Sequence, residues 1–354
     1  MKRRDFLRAT ALSAVSVGRT FAEAARWRTF EVTTRTEILN PDGVTRVWAP
    51  APLDRDTPWQ RTLSVFVDIH GGVAKTVKAG TDGPAMVVAE FPAGVPPILK
   101  VTSRVRTRDW SVDLSVPNSA AKPDDLQRFL RPTKFIPTGG IVKERSTEIT
   151  RSASTDLDKA RAIYEWIIES TRRNPKTRGC GLGNIEFMLE SGDLSGKCAD
   201  LNSLYVGLAR AAGLPARDVF GIRVAKSELG YKSLGASSEN ITKAQHCRAE
   251  VYLTDYGWVP VDPAGVRKVM LEEPPGNRPL SDEMVRQARA RLFGSWEMNW
   301  MAYNFAHDVT LPGSSGPPVP FFMYPQAETA AGRLDSLAPD TFKYEISARE
   351  LETA

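Results

Sequence analysis

The chain has 354 residues, 42% apolar and 25% charged, which is long enough for two domains with sizeable cores and sets disorder aside as the default. No apolar run of 18 or more residues follows the N-terminal segment, so nothing downstream reads as membrane-spanning. The formal net charge of +5 says little about partners, because residues 1–22 hold five basic side chains and one acid, a net +4, leaving the remainder near +1. Nucleic-acid binding is therefore not expected.

The first segment reads as an export signal over residues 1–22. Lys2, Arg3 and Arg4 form a basic start, Asp5, Phe6 and Leu7 follow, and a small-residue run extends from Ala9 to Val17. The RRDFL string resembles a twin-arginine signal, with cleavage expected near Ala22 or Ala24, and it implies a periplasmic or otherwise exported protein. Three cysteines, Cys180, Cys198 and Cys247, are an odd number for such a compartment and leave one thiol over as a candidate reactive group. The three histidines, His70, His246 and His307, are scattered without metal-ligand spacing, so no metal or other cofactor is expected.

Residues 27–115 read as a small antiparallel β-sandwich. Phe30, Val32, Thr34, Thr36 and Ile38 alternate strictly, and Asn40-Pro41-Asp42-Gly43 ends the run in a turn. Further short β-rich runs lie at Val47 to Ala49, Ser64 to Ile69, Met86 to Phe91 and Leu99 to Thr107, separated by Gly- and Pro-rich turns. His70, before a Gly-Gly turn, reads as a surface residue. Residues 116–150 read as a Pro-punctuated connector.

A helix is predicted from Thr155, with Asp158 in capping-box position and Ala160, Ile163, Tyr164, Ile167 and Ile168 on its apolar face. The Gly-rich loop Arg178 to Asn184 lacks the Lys-Ser/Thr of a phosphate loop, and its Cys180 fits a free thiol, a bridge partner or a cleft residue. Then comes GKCADLNSLYVGLARAAGLPAR, residues 196–217. Leu201, Leu204, Tyr205, Leu208, Ala211 and Ala212 mark a core helix, and Gly213 and Pro215 stop it. Cys198 thus lies at a helix N-terminus, where unpaired N–H groups and the dipole favour a thiolate. The competing reading is a buried structural cysteine.

Beyond it, Ala216 to Val224 reads as a strand, and residues 225–245 form a polar loop of the kind that serves as lid or substrate-binding loop. Two strands follow, His246 to Leu253 and Trp258 to Val261, closed by Asp262-Pro263. An antiparallel pair joined by a short turn brings His246 and Asp262 together. Nucleophile, general base and orienting carboxylate would then follow in the order Cys198, His246, Asp262, with spacings of 48 and 16 residues. Either partner alone reads more simply as a satisfied strand histidine or a turn-forming aspartate. His307-Asp308 is a rival dyad, and the surrounding aromatics, Trp296, Trp300, Tyr303, Phe305 and Phe321-Phe322, read as core.

The blocks GKCADLNSLYVGLARAAGLPAR, HCRAEVY and GWVPVDP resemble the transglutaminase-like superfamily of papain-like fold, over roughly residues 155–265. The resemblance implies an α+β catalytic domain over 151–310, preceded by the β-sandwich and followed by a C-terminal extension at 311–354. It carries the family's catalytic triad onto Cys198, His246 and Asp262. Cys180, Arg248 and Trp258 are candidate cleft residues. Many members have Ala-Trp after the histidine where this chain has Cys247-Arg248; strand alternation turns Cys247 away from His246 and puts Arg248 on its face, making that cleft wall more basic. The implied activity is a thiol hydrolase (peptidase or amidase) acting through a thioester on a peptide or protein substrate, a cell-envelope peptide being suggested by export alone. The alternatives are transglutaminase transfer to an amine and a non-catalytic binding protein on the same fold.

Overall fold

The structure is a computed structural model that describes residues 26–79, 83–117 and 123–352. The export signal expected at 1–22 lies outside the described residues. No helix among them is long and apolar enough to cross a membrane.

The N-terminal strands form two antiparallel sheets. Arg28–Ile38 buries Phe30, Val32, Thr34, Thr36 and Ile38, the face that the alternation marks. It pairs with Ile98–Thr107, which pairs in turn with Gln60–Ile69. The second sheet sets Thr45–Pro50 beside Ala85–Phe91 and then Val73–Lys78. Val47, Ala49, Val87, Ala89 and Phe91 of one sheet pack on Ile38, Leu99 and Val101 of the other.

The C-terminal segment completes both sheets rather than extending past the catalytic domain. Gln326–Thr329 lies along Thr45–Pro50, and Phe342–Leu351 pairs with Arg28–Ile38 through the register Phe342↔Ile38 to Leu351↔Thr29. Phe342, Ile346 and Ala348 are buried, so this strand supplies apolar core as well as backbone hydrogen bonds. The stretch expected as a connector likewise contains a helix, α1 (Gly140–Thr150). Its Ser146 donates to Leu208 O at 2.8 Å and Lys143 donates to Ala211 O at 2.6 Å, covering carbonyls at the far end of the cysteine helix.

The α2 helix (Asp156–Ser170) starts with the expected capping box between Thr155 and Asp158 and buries the expected face. A short α3 (Ile185–Ser191), capped by Asn184, follows the Gly-rich loop. The α4 helix (Cys198–Ala211) is the axis of the fold, with every residue buried. Helices α1, α2 and α3 surround it on one side. On the other lies an antiparallel sheet ordered Gly257–Val261, Gln245–Leu253, Ala216–Arg223, Trp300–Asn304. Two further helices, α5 (Pro263–Glu272) and α6 (Glu283–Arg291), close the domain.

A helix buried all round must satisfy its polar side chains internally. Asp200 accepts from the backbone N–H groups of Leu182, Gly183 and Lys197, and Arg210 donates to Ala216 O and Arg131 O. The Gly-rich loop owes its composition to Asp200. At Gly181, where φ is +93°, a Cβ would lie 1.9 Å from the Asp200 carboxylate, and at Gly196 it would lie 2.4 Å away. These glycines let two loops close over the first turn of α4.

Candidate active site

Lys197 leads into α4 with extended backbone, so Cys198 is the first helical residue. The hairpin of Gln245–Leu253 and Gly257–Val261 brings His246, near the start of one strand, beside Asp262, just past the end of the other. His246 Nε2 lies 2.7 Å from Asp262 Oδ2, with both side chains buried. Asp262 also caps α5, since its Oδ1 accepts from Gly265 N at 2.8 Å, while Pro263 takes the first helical position. The turn role and the partner role of this Asp-Pro are therefore the same geometry.

Asn202 joins the group from α4, one turn after Cys198. Its Nδ2 donates to Asp262 Oδ1 at 3.2 Å and to Cys247 O at 2.8 Å, and its Oδ1 accepts from Ala264 N. Its position at i+4 from Cys198, on the same side of the helix, was its signal in the sequence. Trp300 donates its indole N–H to His246 O at 2.8 Å and holds the histidine backbone from below. Burial pushes the Asp262 carboxyl up. The charge and hydrogen bond of His246, with Arg248 and Arg223, outweigh it and leave the group at about 2.

The three cysteines, all free and buried, meet at one point. The Cys180 thiol donates to Gln245 O at 3.5 Å, and Cys180 and Cys247 both act on the neighbouring Cys198 sulfur. With the hydrogen bond and charge of His246 they outweigh burial and hold Cys198 well below the ordinary thiol range. Cys180 is pushed up by its hydrogen bond to Cys198 and by burial, and Cys247 by burial and then the same neighbour. Among the three thiols, Cys198 is the one shifted toward ionisation. The Tyr324 hydroxyl hydrogen-bonds Cys180, bringing a C-terminal residue to the site.

A cavity of about 520 Å³ opens onto Cys198 and His246. Cys180 lines it. Arg248 and Trp258 do not, contrary to expectation. Arg248 lies two residues beyond His246 on the same strand, but its own side chain leaves the cavity: its guanidinium sits over the Trp300 and Trp296 rings at 4.7 and 5.4 Å and donates to Glu297 O. Trp258 packs edge-on against Phe129 and carries the Arg217 guanidinium at 3.9 Å. The basic wall comes from other residues: Arg173, Arg178, Lys197, Arg223, Lys243 and Lys268. The rival dyad is divided, with His307 Nε2 3.0 Å from Asp218 and Asp308 accepting from Lys134 N. Trp296, Trp300 and Phe322 are core, as expected.

The loop after Ala216–Arg223 forms one side of the cavity through residues 235–237 and 240–244. Glu297 accepts from Ser227 Oγ, Glu273 accepts from the N–H groups of Lys232 and Ser233, and Ile241 N donates to Ile346 O. Tyr344, on the last strand, lines the cavity beside it.

The sequence model of the transglutaminase-like superfamily matches residues 143–263, a span containing Cys198, His246 and Asp262. A Haemophilus influenzae protein, described only as uncharacterized, is 34% identical over 342 residues, covering 91% of each chain. The crystal structure of a "putative cysteine protease" from Cytophaga hutchinsonii superposes with a TM-score of 0.57 at 14% identity, covering 93% of each chain, which shows a shared fold. The chain belongs to the transglutaminase-like superfamily, with the α+β architecture of that family.

Proposed function

We propose that the protein is an exported Cys-His-Asp thiol hydrolase that cleaves a peptide or amide bond through a thioester acyl-enzyme. The observation that carries this reading is the convergence of Cys198, at the start of α4, and His246 on one cavity, with His246 Nε2 2.7 Å from the buried Asp262 Oδ2. Cys198 supplies the nucleophile, and the imidazole holds the thiol proton. Attack of the thiolate on the amide carbonyl gives a tetrahedral oxyanion, for which the Cys198 backbone N–H is the nearest helix-terminal donor. The imidazolium then passes its proton to the departing amine, leaving a thioester on Cys198. Water, deprotonated by the same imidazole, attacks the thioester and releases the acid. Asp262 keeps Nε2 engaged, so that Nδ1 faces the sulfur. Asn202 and the α5 terminus fix the carboxylate.

The alternative is transfer of the acyl group to a primary amine. Six cations around the cavity favour water over an ammonium-bearing acceptor, which like-charge repulsion would keep out. Export rests on the basic RRDFL start of the sequence.

The test is incubation with a peptide library and a fluorescent primary amine. Hydrolysis products should exceed amine adducts, and Cys198→Ala should lower turnover by at least ~10³-fold. Amine incorporation exceeding hydrolysis would overturn the choice of water as acceptor, and undiminished turnover in Cys198→Ala would overturn the nucleophile.

A further inference from the structure

The cavity wall carries a charge imbalance that the reaction itself does not require. Arg173, Arg178, Lys197, Arg223, Lys243 and Lys268 line it, and among the described residues no aspartate or glutamate does. Four carboxylates offset part of this: Glu272 pairs with Arg173 and stands 3.7 Å from Lys268, Asp335 lies 2.6 Å from Arg178, and the charges of Asp262 and Glu297 act on Arg223. Lys197 and Lys243 have no carboxylate within ion-pair distance among the described residues. Arg223 is 3% exposed; it donates to Leu234 O, but its Nη2 finds no hydrogen-bond partner. A buried guanidinium donor without an acceptor is costly unless something fills the role. Burial, together with the like charge of Arg223, pulls the Lys268 ammonium down to about 8 despite Glu272. The cations repel one another across the cavity.

We propose that the cavity is a subsite for carboxylates, and that the acyl group delivered to Cys198 comes from a peptide carrying free carboxylates next to the scissile amide. This rests on the nucleophile reading above and names the substrate class of that site. A substrate carboxylate entering the cavity would accept from the wall cations and relieve their mutual repulsion. The wall is drawn from distant parts of the chain: Arg173 and Arg178 from the segment between α2 and α3, Lys243 from the loop, Lys268 from α5.

The experiment is alkylation of Cys198 in the full chain, followed residue by residue by mass spectrometry, with iodoacetate and iodoacetamide compared at neutral pH. Referred to the same ratio measured on a small free thiol, which removes their difference in intrinsic reactivity, the rate ratio reads the cavity potential without knowledge of the substrate, and the rates below are on that scale. Iodoacetate should react at least ~10-fold faster at low salt, and high salt should shrink that advantage. The double variant Lys243→Gln/Lys268→Gln should reduce the ratio several-fold, which separates the wall from the charge of His246. N-acetyl-triglutamate should protect Cys198 from iodoacetamide where N-acetyl-triglutamine does not. Iodoacetamide reacting as fast as iodoacetate, a ratio unchanged in the double variant, equal protection by the two peptides, or protection by inorganic phosphate matching that of the triglutamate would each overturn the proposal. A Cys198 inert to both reagents would instead overturn the nucleophile reading on which it rests.

Discussion

At the residue scale, the site turns on which sulfur carries the negative charge. Cys198 gains it through the donors arranged around it: two neighbouring thiols and an imidazole, at a helix start. Asp262 anchors that arrangement at a measurable thermodynamic cost in acid. Its folded value of about 2 lies below the ordinary 3.8, so its ionisation stabilises the fold fully above pH ~4, and the contribution is lost as pH falls through about 2. A shift of that size corresponds to about 2 kcal/mol. Urea unfolding of the wild type and Asp262→Asn should therefore give a stability gap that narrows by about this amount between pH 5 and the acid limb. A gap independent of pH would mean that Asp262 is not held ionised by His246.

At the scale of elements, the entry to α4 is the part most sensitive to shape. Gly196 passes so close to Asp200 that a Cβ would lie 2.4 Å from its carboxylate and 2.5 Å from its Cβ. Gly196→Ala must displace Asp200, which receives the N–H groups of Lys197, Leu182 and Gly183 and so ties both flanking loops to the helix start. The expected result is a loss of about 1–3 kcal/mol in chemical unfolding together with slower alkylation of Cys198. Gly139→Ala, where nothing stands within 4 Å, is the comparison for lost space; as the N-cap of α1 it should cost no more than about 1 kcal/mol and leave Cys198 alkylation unchanged. Equal stabilities for the two variants would show that the glycine at 196 is not a packing requirement. The long loop behaves as a wall in the same way. Glu273, Glu297 and the last strand hold it at several points along its length, which suits a fixed face of the cavity better than a hinged lid.

At the scale of the whole molecule, local patterns in the sequence were legible and remote pairings were not. The capping box at Thr155, the apolar stripe of α4 and the alternation from Phe30 to Ile38 are encoded within a few residues of one another, and each forms the expected element. Cys198, His246 and Asp262 could be singled out because a helix start, a strand start and a strand end converge wherever a hairpin packs on a helix. The Phe342–Leu351 strand pairs with residues some 310 positions earlier, and no local signal names that partner. Arg248 illustrates a different limit. Alternation gave its face correctly, but only the packed structure shows two tryptophans occupying that face and drawing the guanidinium away from the cavity. The meeting of Cys180 and Cys247 at Cys198 joins a loop, a strand and a helix, and spacing along the chain carries no trace of it.

The central claim is that one of three adjacent cysteines is an activated nucleophile, and site-resolved alkylation by iodoacetamide across pH tests it most directly. Cys198 should label at pH values well below the ordinary thiol range and far faster than Cys180 or Cys247, which their neighbour and burial keep protonated. His246→Ala should move its labelling to higher pH. Equal rates at the three cysteines, or a Cys198 profile unmoved in His246→Ala, would contradict the account.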